Sequence, residues 1–293
     1  MNAAYKLLIF LFFVFVNQVS ALEFHYNLFN YPTESEISNY LKNDPVNLEV
    51  CCRYPTKSEV MILNSLKLSS LKIKAGFFPS KVEMSALNNY KGEYSIELSE
   101  VFPSDEDYTR LNNSTVSQLI INSRDFLTMG EATAFNGFDL NLRININHRE
   151  YPLPRHMKVL KVLKSNFIVA FKNQVLPGVG YANFFNALKT KKVFTSIEKF
   201  PYGDDYRGVN ALTNSSVEIL SNEYLFYQDV DQINKMKISK IVYLDDQSPY
   251  TGSTIDLIKK IEAEKVYITG FDDTLNSSVD IFRTAKSNII LVK

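Results

Sequence analysis

Apolar and polar residues alternate over short segments of the chain, and these segments return at a nearly constant interval. The segment from Val217 to Tyr224 reads VEILSNEY, with apolar side chains at its first and third positions. Such alternation is typical of a strand with one buried face. Between these segments, apolar residues are spaced by three and four, which is typical of short helices with one buried face. The pattern therefore predicts that each repeat unit consists of one strand followed by one short helix.

Prolines mark the interval between the units. Prolines that follow an aromatic residue or leucine include Pro32, Pro55, Pro79, Pro103, Pro152, Pro177 and Pro201, which are 23, 24, 24, 49, 25 and 24 residues apart. Proline donates no backbone hydrogen bond, so it suits the point where a strand ends. We expect the aromatic residues before this point to form one buried column, made of Tyr31, Tyr54, Phe78, Phe102, Phe126, Tyr151, Phe200 and Tyr224.

A second apolar position recurs at a fixed distance from the proline, in the helical part of each unit. It falls eight residues after each proline, or after the residue in its place, and we expect it to be buried. The residues concerned are Leu63, Leu87, Leu111, Phe135, Leu160, Phe185, Val209 and Ile233.

The length of the unit favours a solenoid among the parallel α/β architectures. An eight-stranded α/β barrel uses about 31 residues per unit. Here the units are about 24 residues long, and about eleven of them precede a terminal strand at residues 289–292. Stacked repeats can continue in this way because each repeat contacts only its neighbours. The sequence thus predicts a right-handed α/β solenoid with parallel strands on its concave face and short helices on its convex face.

The repeats resemble those of the leucine-rich repeat family, whose pattern is L-x-L-x-x-N-x-L. Val217, Ile219, Asn222 and Tyr224 occupy its four fixed positions in one unit. The resemblance extends over residues 22–293 and implies a horseshoe that binds proteins, glycans or peptides on its concave face without chemistry. It also implies that the protein needs no cofactor.

The N-terminal segment predicts export. Residues 7–16 read LLIFLFFVFV after Lys6, and Val19-Ser20-Ala21 supplies small residues at a cleavage site. This apolar run is shorter than the about 20 residues that cross a membrane as a helix, so we interpret residues 1–21 as a secretory signal peptide. An uncleaved N-terminal anchor is the alternative. The remainder, residues 22–293, is predicted to be one secreted repeat domain without a membrane span.

Charge and cysteine content restrict the partners further. The chain carries 32 basic and 32 acidic residues, so no overall positive charge favours binding to nucleic acid. Cys51 and Cys52 are adjacent, and the about 3.8 Å between adjacent Cα atoms across a trans peptide is short for a disulfide. We therefore expect two free thiols, with a reactive or interchain thiol as the alternative.

Candidate chemistry is sparse. His25, His148 and His156 show no metal-ligand spacing, and we expect no metal site. Acidic pairs at 204–205, 245–246 and 272–273 follow strand ends, where aspartate commonly caps helices; calcium binding by the last two pairs is the alternative. The sequons give four candidate glycosylation sites, namely Asn112, Asn113, Asn214 and Asn276.

These observations predict a secreted, non-enzymatic protein that recognises a protein or glycan through its concave strand face. Apolar residues at outward strand positions are expected to form the binding patch, and the apolar terminal strand at residues 289–292 is expected to support a dimer through its free edge. The alternative function is a secreted hydrolase that uses acidic residues at strand ends. The predicted binding residues are Phe194, Ile197, Leu220, Val242, Leu244 and Tyr267.

Overall fold

The chain folds into a closed barrel of twelve parallel strands surrounded by helices. The computed structural model describes residues 23–37, 46–148, 150–173, 176–203, 205–213, 215–245, 250–270, 282 and 284–292. Neighbouring strands pair in sequence order around the barrel. The strands are β1 (Glu23–Leu28), β2 (Val46–Cys51), β3 (Leu68–Ala75), β4 (Tyr94–Ser99), β5 (Gln118–Ser123), β6 (Leu142–Ile146), β7 (Ile168–Asn173), β8 (Lys192–Ile197), β9 (Ser215–Ser221), β10 (Ser239–Leu244), β11 (Lys265–Ile268) and β12 (Asn288–Val292).

The predicted open horseshoe is wrong, although the parallel α/β repeat is present. β1 pairs in parallel with β12, so that Glu23 lies opposite Ile290 and His25 opposite Val292. The first and last strands therefore close the sheet. Twelve strands close a barrel wider than the eight-stranded one, because barrel diameter grows with strand number. The length of the repeat excludes the smaller barrel but does not exclude the larger one.

Closure also removes the edge on which the predicted dimer depended. β12 has β11 on one side and β1 on the other. Ile290 and Leu291 are buried within this pairing. Their apolar character is explained by packing inside one chain, so the strand offers no free edge to a second copy.

Short helices follow β2 to β10 on the outside of the barrel. Several begin with a serine or threonine whose side chain accepts a bond from the backbone three residues later, while a glutamate there bonds back. The helices are α1 (Lys57–Ser65), α2 (Lys81–Leu87), α3 (Asp105–Asn112), α4 (Met129–Phe135), α5 (Pro154–Leu160), α6 (Val179–Asn186), α7 (Asp205–Asn210), α8 (Tyr227–Lys235) and α9 (Gly252–Lys260).

The main hydrophobic core lies between the sheet and the ring of helices. Alternate strand residues such as Leu71, Ile73, Ile144 and Ile219 point outward into it and are buried. The helical position eight residues after the proline slot is buried in every unit where it was predicted, from Leu63 to Ile233. The sequence period therefore predicts this core correctly.

Asparagines near the ends of several helices tie each repeat to the next. The Asn210 amide donates to the carbonyl of Lys235 at 3.1 Å and accepts from the Lys237 amide at 2.7 Å. Each of these side chains hydrogen-bonds one backbone carbonyl and one backbone amide in the turn that follows the helix of the next repeat. We call this repeated set of contacts on the outside of the barrel the asparagine ladder. The same pair of contacts is made by Asn64, Asn112, Asn136, Asn186 and Asn234.

Two local predictions are wrong. The aromatic residues of the predicted column form no continuous buried column, because Tyr31 and Tyr54 are buried whereas Phe102 and Tyr224 are exposed to solvent. Cys51 and Cys52 are joined by a disulfide rather than free, and the peptide bond between them is cis. The argument from adjacent Cα atoms assumed a trans peptide.

Among the described residues, no helix has the length and apolar character needed to cross a membrane. The predicted signal peptide at residues 1–21 lies outside the described residues.

Candidate functional site

The barrel interior collects polar and charged side chains from consecutive strands. Strand residues alternate in direction, so the positions between the core residues point into the barrel. In β2 to β6 most of these positions are hydrophilic, with Ile120 on β5 an apolar exception, unlike the apolar layers that fill eight-stranded α/β barrels. The inward polar residues include Asn47, Glu49, Lys72, Lys74, Glu97, Asn122, Arg143 and Asn145.

Lys72 on β3 bridges two carboxylates from its neighbouring strands. Its Nζ lies 3.3 Å from Glu49 and 2.5 Å from Glu97, and Lys74 lies 2.5 Å from the other oxygen of Glu49. Burial opposes both charged carboxylates, yet the lysines hold the pKa values of Glu49 and Glu97 below their ordinary range. Burial likewise opposes the ammonium of Lys72, but the two carboxylates raise its pKa. Glu49, Glu97 and Lys72 therefore stay charged at neutral pH.

Hydrogen bonds extend this network around the interior to β9. Asn122 donates to Glu97 at 2.8 Å, and Asn145 donates to Asn122 at 2.7 Å. Arg143 then donates to Asn145 at 2.8 Å and to both oxygens of Glu218. Ser196 donates to the same Glu218 carboxylate at 2.7 Å. The continuous chain of partners fixes the orientation of each polar side chain.

An aromatic wall faces this network from β10, β11 and β1. The rings of Tyr243 and Tyr267 are stacked, with centroids 4.6 Å apart and planes 10° apart. The ring of His25 lies nearly perpendicular to that of Tyr267, with an interplanar angle of 82° and centroids 6.4 Å apart. Burial raises the pKa of Tyr243 and lowers that of His25. Both groups are therefore neutral at neutral pH.

Two cavities remain between these side chains. Cavity A has a volume of about 560 Å³, and its walls include His25, Asn47, Ser70, Ser95, Gln118 and Lys265. Cavity B has a volume of about 410 Å³, and its walls include Glu97, Arg143, Asn145, Asn147, Lys172 and Ser196. Lys72, Ile120 and Tyr243 line both cavities, so the two spaces adjoin at the middle of the barrel.

A larger concave space lies outside the barrel, between α2 and α3. Its volume is about 840 Å³, and its walls include Met84, Ser85, Thr109 and Arg110. This groove contains ordinary helix surface, whereas the interior concentrates buried charges and hydrogen-bonding groups. Convergent polar groups in an enclosed space mark a ligand site better than volume alone. We therefore assign the candidate site to the interior.

The structure divides the six predicted binding residues between two environments. Phe194, Leu220 and Tyr267 point into the barrel, where Leu220 lines cavity B and Tyr267 lines cavity A. Ile197, Val242 and Leu244 point the other way and are buried in the core beneath the helices. The expectation that all six share one exposed face is therefore wrong, because the alternation in β8 and β10 places the last three on the core side.

The other candidate residues add no second site. Among the described residues, no group of three or more histidine, cysteine or acidic side chains could hold a metal ion. Asp245 is exposed after β10, and the remaining members of the acidic pairs lie outside the described residues or have undescribed side chains. Asn112 belongs to the outer ladder, and Asn113 donates to Thr109 at 2.8 Å. Asn214 and Asn276 lie outside the described residues.

Comparison with known proteins yields no assignment: the chain matches no family model, no curated protein and no solved structure. The resemblance to leucine-rich repeats therefore rests on the sequence pattern alone.

Sequence reasoning missed the charged residues that define the interior. Glu49, Glu97, Arg143 and Glu218 were not singled out, although each lies between two apolar residues of a strand. A charge at such a position faces away from the helices. The recurrence of these charges on successive strands was the available signal, and only closure of the barrel turns it into a site.

Proposed function

We propose that this protein binds a small polar molecule, of the size of a monosaccharide or disaccharide, inside its barrel without transforming it. The observation that carries this proposal is the enclosure of a polar strand surface with two adjoining cavities. A protein or a large glycan cannot lie along strands that face the inside of a closed barrel. The glycan prediction is thereby narrowed to ligands that fit into the barrel interior.

The dimensions of the interior favour a ligand of this size. Sites for small molecules usually have volumes of about 300–1,000 Å³. Cavities A and B measure about 560 and 410 Å³ and adjoin at Tyr243. One saccharide ring fits in either cavity, and a disaccharide could occupy both.

The chemistry of cavity A favours hydroxyl groups. Side-chain amides, hydroxyls and a carboxylate from Asn27, Asn47, Ser70, Gln118 and Glu49 supply both donors and acceptors. The rings of Tyr243 and Tyr267 add a flat apolar surface against which the C–H groups of a sugar can pack. A molecule with hydroxyl groups around an apolar ring matches this combination.

A blocking variant tests the site. Ser95 lines cavity A, so Ser95→Trp should fill the cavity and abolish binding of glucose and maltose in isothermal titration calorimetry. Gln118→Trp provides an independent block from the same wall. The matched control is Ser85→Trp in the outer groove, where the same side chain should leave binding unchanged. Equal binding by the blocked and control variants, with melting curves showing that both fold, would place the ligand elsewhere.

Export of the protein is a further part of this proposal. The predicted signal peptide supports it, since export would expose the barrel to sugars outside the cytoplasm. Expression of the full chain followed by N-terminal sequencing of the exported protein tests it: a mature chain beginning at Leu22 is expected, and an uncleaved, retained chain would contradict it.

A further inference from the structure

We propose that cavity B binds an anionic group of the ligand, a carboxylate or a phosphate, through Lys74, Lys172 and Arg143. This inference rests on the proposed function and specifies the ligand as an acidic or phosphorylated saccharide. In this proposal, cavity A binds the hydroxyl groups of the ligand and cavity B binds its anionic group.

The charges around cavity B are unequal. Lys72, Lys74, Arg143 and Lys172 line it, against the carboxylates of Glu97 and Glu218. Both carboxylates are already satisfied inside the network, Glu97 by Lys72 and Asn122 and Glu218 by Arg143 and Ser196. Glu49, on the wall of the adjoining cavity A, pairs with both Lys72 and Lys74, so the four cations exceed the three interior carboxylates by one positive charge.

Donors remain on the cationic side chains. An ammonium has three donors, and Lys74 uses one of them on Glu49, which it shares with Lys72. Lys172 contacts Glu198 at 3.3 Å, and both side chains of this pair are about half exposed. Exposed pairs of this kind contribute little energy, so an anion can compete for the ammonium of Lys172. The Nη1 group of Arg143 is engaged by neither Glu218 nor Asn145.

The position of the cations suits a ligand that enters from one end. Lys74 and Lys172 lie near the carboxyl ends of β3 and β7, and the side chains of both are partly exposed to solvent. Arg143 lies deeper, where its guanidinium stacks 4.6 Å from the ring centroid of Phe194. Cations at the mouth of a low-dielectric cleft attract anions and concentrate them. Asn145, Asn147 and Ser196 supply neutral groups beside them.

The test compares charged and neutral forms of one sugar by isothermal titration calorimetry. Glucose 6-phosphate and gluconate should each bind the full chain at least about tenfold more tightly than glucose, since charge-assisted hydrogen bonds are about twice as strong as neutral ones. The comparison of the two anions distinguishes phosphate from carboxylate recognition. Lys172→Met and, independently, Lys74→Met should reduce this ratio to near unity. Lys81→Met, in the outer groove, is the matched control and should preserve the ratio.

The outcomes separate this inference from the proposed function. If glucose binds, Ser95→Trp abolishes its binding and neither anion is preferred, the proposed function stands and the anion site is refuted. If inorganic phosphate binds and Lys172→Met abolishes this binding while no sugar binds, the anion site stands and the saccharide assignment is refuted. If neither sugars nor inorganic phosphate bind, both proposals are refuted.

Discussion

Arg143 on β6 and Glu218 on β9 form an ion pair inside the barrel, with Nη2 of Arg143 2.8 Å and 2.9 Å from the two carboxylate oxygens. Two strands separate them in the sheet, and the ring of Phe194 from one of those strands lies beneath the guanidinium. Side chains so far apart in a sheet meet only where the sheet curves toward them. The pair thus links the closed architecture to the polar interior.

Removal of one partner of this pair should strongly destabilise the protein. Glu218 is buried, so Glu218→Ala leaves the charge of Arg143 without its partner, which should lower the free energy of unfolding by about 3–5 kcal/mol in urea denaturation. The double variant Arg143→Met/Glu218→Met should recover much of this loss. The control Asp231→Ala, which breaks the exposed pair with Lys235, should cost about 0–1 kcal/mol. Equal effects of the two single substitutions would count against a buried pair.

Closure of the barrel makes the terminal strand part of the core. Leu291 is 1% exposed, so Leu291→Ala should lower the free energy of unfolding by about 2–5 kcal/mol. Phe29, with 85% exposure, provides the control, and Phe29→Ala should change stability by less than about 0.5 kcal/mol. Urea denaturation measures both. A small effect of Leu291→Ala together with a change in sedimentation would instead indicate an exposed edge between two copies.

Each asparagine of the ladder should contribute measurably to the free energy of unfolding. Asn210→Ala removes two hydrogen bonds to the next repeat and should cost about 1–2 kcal/mol in urea denaturation. Asn88 occupies a comparable place after α2 but makes no such pair of contacts among the described residues. Asn88→Ala is therefore the control and should be nearly neutral. If both substitutions cost the same, the ladder contacts contribute nothing specific.

The interior carboxylates should determine stability in acid. Lys72 and its neighbours hold the pKa values of Glu49 and Glu97 below the ordinary value of about 4.3. Their contribution is therefore complete above this value and is lost as the pH falls through the lower pKa values of the folded state. Lys72→Met should move the acid unfolding midpoint, followed by circular dichroism, to higher pH. The control Lys81→Met should leave the midpoint in place, and an unchanged midpoint in both variants would contradict this account.

The repeat could be predicted from the sequence because each unit carries its own signals. The buried helical position from Leu63 to Ile233 is set by local physics, and the structure contains it. The prolines recur with the repeat, but they lie four to six residues beyond the strand ends, shortly before the helices, rather than at the strand ends. The ladder was also visible in principle, since its asparagines recur at one or two repeat intervals, at Asn64, Asn112, Asn136, Asn186, Asn210 and Asn234. These features determine the unit and its stacking.

Closure of the barrel could not be predicted in this way, because it depends on the summed curvature of all units and on a contact between the first and last strands.

The sequence also left open which side chains of β10 face the helices. Ile241, Val242, Tyr243 and Leu244 are all apolar or aromatic, so no alternation indicates which of them face the helices. The structure places Val242 and Leu244 in the core and Tyr243 in the interior. Because of such ambiguities, three of the six predicted binding residues lie in the core and not in the interior of the barrel.

The central claim is that the polar strand surface is enclosed and reachable only by small molecules, and thiol labelling tests it most directly. Leu220 lines cavity B, and Ser85 lies on the outer surface. Leu220→Cys should react with iodoacetamide but resist a maleimide joined by a short linker to a folded carrier protein, whereas Ser85→Cys should react with both. Labelling of Leu220→Cys by the carrier protein as fast as Ser85→Cys would show an open strand face and contradict the account.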